Sequence, residues 1–172
     1  MTAAGKEVLM VALPSRDTNA GVEARVLLAE CRGPSSSSYK LATATQCMQM
    51  MDRVLWNRLG NPGPFGARGA KTIADVVKAK GQFAGFENYP NYDSSLVTRI
   101  QAMIDIANSA KDARKADFLG HVNAAIAVAN QPVIADPSPG KLVAWRTAGA
   151  SSPGAGFLKH ITLGGIDFYY IA

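Results

Sequence analysis

Apolar residues recur at intervals of three and four over most of the chain as far as about residue 131, and this spacing constrains the fold more than any other feature. The first segment of this kind follows a polar cap at residues 17–19 and runs through VEARVLLAECRG. We predict a helix there that ends at Gly33, since Pro34 cannot continue it. Its core-facing stripe consists of Ala24, Leu27, Leu28 and Cys31.

Further segments with helical spacing follow, separated by loops rich in glycine, proline and serine. One short helix begins at Thr72, where Asp75 completes a capping box with Asp in place of the usual Glu. The segment GQFAGFENYPNYD reads as a loop rich in aromatic and amide side chains. The other predicted helices span residues 39–59, 94–110 and 113–130, and the first of them packs through Met48, Met51, Val54 and Leu55.

The last forty residues change character after a break at Pro137, Pro139 and Gly140. KLVAWRT and IDFYYIA read as short strands separated by a Gly/Ser/Pro loop. The expected fold is therefore α+β and mainly α, with a small C-terminal antiparallel β element. We expect one domain over 1–172: an irregular lead-in at 1–18 with an extended piece at Glu7–Ala12, a helical core at 19–131 and strands at 132–172.

The charge is mildly basic, with 18 Lys and Arg against 13 Asp and Glu and a net charge of +5. Such an excess favours an anionic partner, whether nucleic acid, a membrane surface or an acidic wall polymer. The basic residues are scattered and lack aromatic interleaving, so we expect no nucleic-acid partner. No apolar run approaches the roughly 18 to 20 residues of a membrane span, so we expect no membrane insertion.

Cysteine and histidine are too few for common metal or thiol chemistry. The two histidines form no zinc-binding pattern, and we expect neither a metal nor a cofactor. Cys31 follows Glu30 near a helix C-terminus, where both the dipole and the carboxylate oppose thiolate formation. Cys31 and Cys47 are therefore buried small hydrophobes, either as free thiols or as one bridge.

The same position makes Glu30 a candidate general acid. The negative end of the helix dipole and the apolar neighbours both disfavour the charged carboxylate and raise its pKa. A carboxyl with a raised pKa is what the protonation of a glycosidic oxygen requires.

Four motifs resemble, in the same order, those of the SleB/CwlJ family of cell wall hydrolases. AECRGP (29–34) resembles the family's GEARGE signature, with Glu30, Arg32 and Gly33 kept and Pro34 in place of the second Glu. VLWNRLG (54–60) resembles VVLNRV, and KTIADVVKAKGQF (71–83) resembles the NTI…VI…GQF segment. LGGIDFYYI (163–171) resembles the closing IGxHxFY strand, with Asp167 where His is common.

This resemblance implies a lysozyme-like, peptidoglycan-cleaving domain related to lytic transglycosylases. It makes Glu30 the catalytic acid and places Gln82 and Phe83 along the glycan cleft, with Arg32 as a further substrate-binding residue of the signature. Tyr89 and Tyr92 are expected, from aromatic chemistry alone, to stack on sugar rings.

Three functions follow from these residues as alternatives. A lytic transglycosylase cleaves the MurNAc–GlcNAc bond with one carboxyl, because a hydroxyl of the muramic acid attacks intramolecularly. A muramidase needs a second carboxylate, about 5 Å away as nucleophile or about 6.5–9.5 Å away as base; Asp75, Glu87 and Asp93 are the candidates. The third alternative is a module that binds wall glycan without cleaving it.

The site of action is expected to be the periplasm or cell wall. The first apolar stretch is too short for a signal-peptide core, so we expect delivery by a secretion system, by phage lysis or within a larger protein. An antibacterial effector would be matched by an immunity protein that blocks its cleft.

Overall fold

Residues 10–172 are described by the structure, a computed structural model. The first half of the predicted extended piece at Glu7–Ala12 lies outside these residues, and its last three residues are irregular. The elements are α1 (Asn19–Glu30), α2 (Leu41–Gly60), a 3₁₀ turn (Gly63–Phe65), α3 (Ile73–Val77), α4 (Ser94–Asn108), α5 (Lys115–Asn130), β1 (Lys141–Thr147), β2 (Leu158–Leu163) and β3 (Ile166–Ile171).

The described residues confirm the mainly helical α+β class. The helices pack around one hydrophobic core, which extends onto the sheet through Leu142, Ile166 and Phe168. The strands are antiparallel in the order β1-β3-β2, and the sheet contacts α2. The predicted capping box of α3 is present, as are the predicted core positions of α2, Met48, Met51, Val54 and Leu55, all of which are buried.

Helix α1 is enclosed on all sides, which corrects the prediction of a single core-facing stripe. Every residue from Gly21 to Ala29 is buried, and the helix contacts α2, α3, α4 and α5. The Thr18 hydroxyl caps it by accepting a hydrogen bond from the Gly21 N–H at 3.0 Å. A Cβ at Gly21 would collide with the Ser15 carbonyl, so this residue allows the preceding chain to cross close to the helix.

Helix α1 ends at Glu30, three residues before the predicted end at Gly33. Cys31 is already extended, and its N–H donates to the Leu27 carbonyl. Arg99 of α4 donates to the Ala29 carbonyl, one of the carbonyls that the end of a helix leaves without an intrahelical partner. Glu30 is therefore the last helical residue, at a helix end held by a side chain from α4.

Strand β2 lies within the segment that the sequence predicts as a loop, and this is a correction. A hairpin joins β2 to β3 through Gly164 and Gly165, both with positive φ. Two consecutive residues with positive φ are what a two-residue turn of type I′ requires. The strand was missed because it is an edge strand whose side chains are mostly exposed, so no apolar alternation marks it.

Asp167, which stands where the resembling family has His, stabilises the sheet. Its carboxylate lies 2.7 Å from the Lys159 ammonium and accepts hydrogen bonds from the Thr162 hydroxyl and the Gly149 N–H. These partners, led by Lys159, lower the pKa of Asp167 to about 2. The residue thus ties β2 and the loop after β1 to β3.

Two carboxyls pair in the core between α1 and α2. Glu23 is 2% exposed and Asp52 is 3% exposed, and one oxygen of each has no hydrogen-bond partner. Burial and the second carboxylate raise the pKa of Glu23 far above the ordinary range. Burial also raises the pKa of Asp52, although Glu23, Arg53 and Trp56 partly offset it. One proton is therefore shared by this pair near neutral pH.

We predict that Glu23→Gln weakens the dependence of stability on pH between about pH 7 and pH 9. An unfolded Glu is ionised throughout this window, whereas folded Glu23 holds its proton until the pH reaches its raised pKa. The stability that this proton provides is fully present below the unfolded pKa and is lost as the pH rises through the folded one. The wild type should lose at least about 1.4 kcal/mol more than the variant, the equivalent of one pKa unit.

Urea unfolding across this window measures the difference. Asp117→Asn, a change at an exposed carboxyl of α5, serves as the control and should keep the wild-type slope. Equal slopes for Glu23→Gln and the wild type would show that Glu23 is ionised in the fold.

Candidate functional site

The carboxylate of Glu30 is half-buried and faces the sheet. Its Oε2 accepts a hydrogen bond from the indole Nε1 of Trp145 on β1 at 3.2 Å. Burial raises the pKa of Glu30, in the direction that its position in the sequence predicts, while the Trp145 hydrogen bond and the charge of Arg99 lower it. The carboxyl of Glu30 therefore holds a proton more readily than that of an exposed Glu. Its ionised form is nevertheless favoured by Trp145 and Arg99.

Two cavities meet at Glu30, which alone among residues 10–172 lines both. The β-side cavity, of about 540 Å³, lies between the sheet and the loops after α2 and α3. The α-side cavity, of about 490 Å³, lies between the end of α1, the following loop and α4. The two cavities therefore adjoin at Glu30 and are together called the depression.

Arg58 of α2 lines the β-side cavity and contacts both the sheet and the loop that carries Gln82. Its Nε donates to the Val143 carbonyl at 2.6 Å, and its Nη1 donates to the Gln82 side-chain oxygen at 3.0 Å. The guanidinium lies over the rings of Phe65 and Phe83, 4.8 Å and 5.1 Å from their centroids. Val143 lies at a β-bulge of β1, where its carbonyl leaves the ladder and becomes free for this bond.

Gln82 and Phe83, the two cleft residues that the resemblance implies, lie side by side at the β-side cavity. Both line the β-side cavity, Gln82 with an exposed side chain and Phe83 with a buried one. Phe83 also packs edge-on against Trp145, with ring centroids 5.5 Å apart. The GQF segment therefore contacts the residue that hydrogen-bonds Glu30.

Arg32 is exposed and lines the α-side cavity. Its guanidinium packs against Gly165 in the β2–β3 turn, where any Cβ would collide with it. The side chain thus joins the loop after α1 to the sheet, next to the cavity.

Tyr89 and Tyr92 contradict the expectation that they stack on sugars. They are 5% and 7% exposed, they stack with Phe86 and with each other, and the Tyr89 hydroxyl donates to the Arg16 carbonyl at 2.8 Å. Neither ring lines a cavity at Glu30. Their aromatic faces pack inside the hydrophobic core. The number of aromatic residues in a loop sequence does not show whether their rings are buried.

The candidate second carboxylates also lie elsewhere. Asp75 accepts hydrogen bonds from the N–H groups of Lys71 and Thr72 as part of the capping box. Asp93 caps α4 through the Ser95 N–H, and Glu87 accepts from the Gly85 N–H. Within residues 10–172, Glu30 is the only carboxyl that lines either cavity.

Four arginines accompany this single carboxyl. Arg32 and Arg99 line the α-side cavity, and Arg58 and Arg146 line the β-side cavity. Burial and Arg146 lower the pKa of Arg58 to about 10, which leaves it charged near neutral pH. The depression as a whole is cationic and suits an anionic substrate.

Both cysteines are free thiols in the structure, and both are buried. The Cys31 thiol contacts the Ala44 carbonyl at 3.6 Å, so it packs against α2 behind the site. No cluster of three metal-ligating side chains occurs within residues 10–172, and no helix there is long and apolar enough to cross a membrane.

Trp145, Arg58 and Arg99 are site residues that the sequence did not identify as such. Asn57 and Arg58 lie in the VLWNRLG motif, so the resemblance could have drawn attention to Arg58. Trp145 and Arg99 lie in no motif. They are 115 and 69 residues away from Glu30 along the chain, and only the packing of distant elements brings them to it.

Known proteins add no identification to this geometry. No family model, no curated protein and no solved structure matches the chain. The site must therefore be interpreted from its own chemistry.

Proposed function

We propose that this protein cleaves the MurNAc–GlcNAc bond of peptidoglycan as a lytic transglycosylase, with Glu30 as both acid and base. The observation that carries the proposal is the isolation of Glu30: it is the one carboxyl lining two adjoining cavities of a cationic depression. The four motifs that resemble the SleB/CwlJ family support the same assignment.

The depression has room for a glycan strand on both sides of the reacting bond. Glu30 lies between the two cavities, so sugars on either side of a glycosidic oxygen at its carboxyl would each have a cavity to occupy. Gln82 and Arg146 offer hydrogen bonds on the β side, and Trp145 and Phe157 offer apolar faces. This mixture of aromatic faces and a few polar groups is typical of ligand sites.

The mechanism begins with Glu30 protonated. Its proton passes to the glycosidic oxygen as the bond between that oxygen and C1 of the muramic acid breaks, and the departing N-acetylglucosamine keeps the proton as a hydroxyl. The carboxylate then faces the positive charge that develops at C1 and stabilises it.

The second half returns the proton. The C6 hydroxyl of the same muramic acid attacks C1, and Glu30 accepts the hydroxyl proton as the new bond forms. The product is a 1,6-anhydromuramic acid, and Glu30 ends protonated for the next cycle. The reaction consumes no water and requires no second carboxylate, which agrees with the one carboxyl found along the two cavities within residues 10–172.

The Trp145 hydrogen bond suits a group that must change between these two states. Indole N–H can only donate, so it favours the carboxylate, whereas burial favours the acid. Together the two effects keep the pKa of Glu30 above its ordinary value without preventing ionisation.

We predict that Glu30→Gln abolishes the release of anhydro-muropeptides from purified peptidoglycan while binding to the wall is retained. The amide keeps the size of the side chain but has no acidic proton to donate to the glycosidic oxygen. General acid–base catalysis contributes roughly 10²–10⁴-fold to rates. Mass spectrometry of the soluble products, with a pull-down on insoluble peptidoglycan, measures both.

Glu87→Gln is the matched control, because it makes the same change at a carboxyl outside both cavities. It should release products at the wild-type rate. Products with reducing ends from the wild type, together with loss of activity in Glu87→Gln, would instead indicate a muramidase. Wall binding without products from any form would indicate a binding module.

We predict that Trp145→Phe moves the alkaline limb of the pH profile of kcat/KM to higher pH. The ring keeps most of the apolar contact, but the hydrogen bond that favours the Glu30 carboxylate is lost. The pKa of Glu30 should therefore rise, because the Trp145 hydrogen bond that lowers it is lost.

The ¹³C chemical shift of the Glu30 carboxyl gives this pKa independently of turnover. Trp56→Phe is the control, since Trp56 contacts the Glu23–Asp52 pair rather than Glu30. An unchanged or lower pKa of Glu30 in Trp145→Phe would contradict the role given to the indole.

A further inference from the structure

The two cavities at Glu30 differ in chemistry. Gln82, Arg146 and Thr147 bring hydrogen-bonding groups to the β-side cavity, alongside aromatic rings. The α-side cavity is lined mainly by apolar side chains, and its polar side chains besides Glu30 are two arginines and the hydroxyls of Ser35 and Ser36. Its accessible apolar side chains include Pro34, Met103 and Ile106, whereas Leu28 and Phe118 are buried.

A pyranose ring alone suits the β-side cavity better than the α-side one. Sugar hydroxyls and N-acetyl amides leave water at a cost unless they find hydrogen-bond partners. In the α-side cavity, Met103 and Ile106 cannot supply such partners, and the hydroxyls are limited to those of Ser35 and Ser36. A suitable occupant combines an apolar portion with negative charge, so that methyl groups contact the apolar lining and carboxylates lie near Arg32 and Arg99.

The substituent on the muramic acid has this combination. Its lactyl group and first alanine present methyl groups, and the following residues of the stem peptide carry free carboxylates. We propose that the α-side cavity is a specificity subsite for the lactyl-peptide substituent of a muramic-acid residue, so that the protein prefers peptide-bearing glycan to bare glycan. This inference rests on the proposed function and names the form of the substrate.

Both arginines already have a contact within the fold, which is a hydrogen bond for Arg99 and a packing contact for Arg32. Arg99 donates to the Ala29 carbonyl, and the Arg32 guanidinium packs against Gly165. Arginine side chains that are already ordered lose less conformational freedom when they pair with a carboxylate. Their proximity to Glu30 also places the peptide next to the reacting bond.

Ala102 of α4 provides a direct test, since it lines the α-side cavity and is exposed. Ala102→Glu adds a negative charge to the cavity, and Ala102→Gln adds a side chain of the same size without the charge. The full-length variants are compared on intact glycan strands and on strands from which an amidase has removed the peptides.

On peptide-bearing strands, we expect Ala102→Glu to have a kcat/KM about tenfold below that of Ala102→Gln, which corresponds to about 1.4 kcal/mol. On stripped strands, the two variants should be equal. The wild type should itself prefer peptide-bearing strands, and added salt should reduce this preference because the attraction is electrostatic. Thermal unfolding of both variants, expected to match, excludes a difference in folding.

Equal kcat/KM values for the two variants on peptide-bearing strands, or a wild type that cleaves both substrates equally well, would overturn the subsite. A wild type that releases no anhydro-ended product from either substrate would overturn the proposed function itself, and the subsite with it. The stripped strands distinguish the two failures. If only the subsite is wrong, the wild type still releases anhydro-ended products from them; if the proposed function is wrong, it releases none.

Discussion

The enclosure of α1 is the constraint on which the site depends. A helix that is buried from Gly21 to Ala29 can present an accessible polar side chain only at its end, and Glu30 is its last residue. The helix C-terminus, the extended backbone at Cys31 and the Arg99 side chain on the Ala29 carbonyl together direct the chain away at this point. The carboxyl is thereby left half-buried at the surface of the core, where its pKa is raised while its access to a ligand is kept.

The sheet completes the site because α2 holds it there. Asn57 donates to the Leu142 carbonyl at 2.7 Å and to Asp136 at 2.6 Å, and Arg58 donates to the Val143 carbonyl. Two adjacent residues near the end of α2 thus hold the start of β1. With β1 fixed, Trp145 reaches Glu30. A small sheet with an exposed edge strand can support the site because its first strand is bonded to the helical core.

The sequence predicted most of the local structure, since helices with regular apolar spacing and clear caps are determined by nearby residues. The capping box at Thr72 and Asp75 and the buried positions of α2 are examples. The raised pKa of Glu30 was also predictable, from its place at the end of an apolar helix. The prediction failed where the outcome depended on distant packing. The burial of Tyr89 and Tyr92, the enclosure of α1 and the Trp145 hydrogen bond each require knowledge of which elements meet. Strand β2 was missed because its residues at the sheet edge lack a buried face, although the Gly164–Gly165 pair was a hairpin signal.

The central claim is that one carboxyl, without a water nucleophile, performs the whole reaction. The most direct measurement is to digest peptidoglycan with the wild-type protein in oxygen-18 water and to determine the mass of each released muropeptide. The account predicts products that contain no oxygen-18 at C1 and are lighter by one water than the corresponding reducing-end muropeptides. Oxygen-18 at the C1 position of the first-formed products would show that water attacks, and it would contradict the single-carboxyl mechanism.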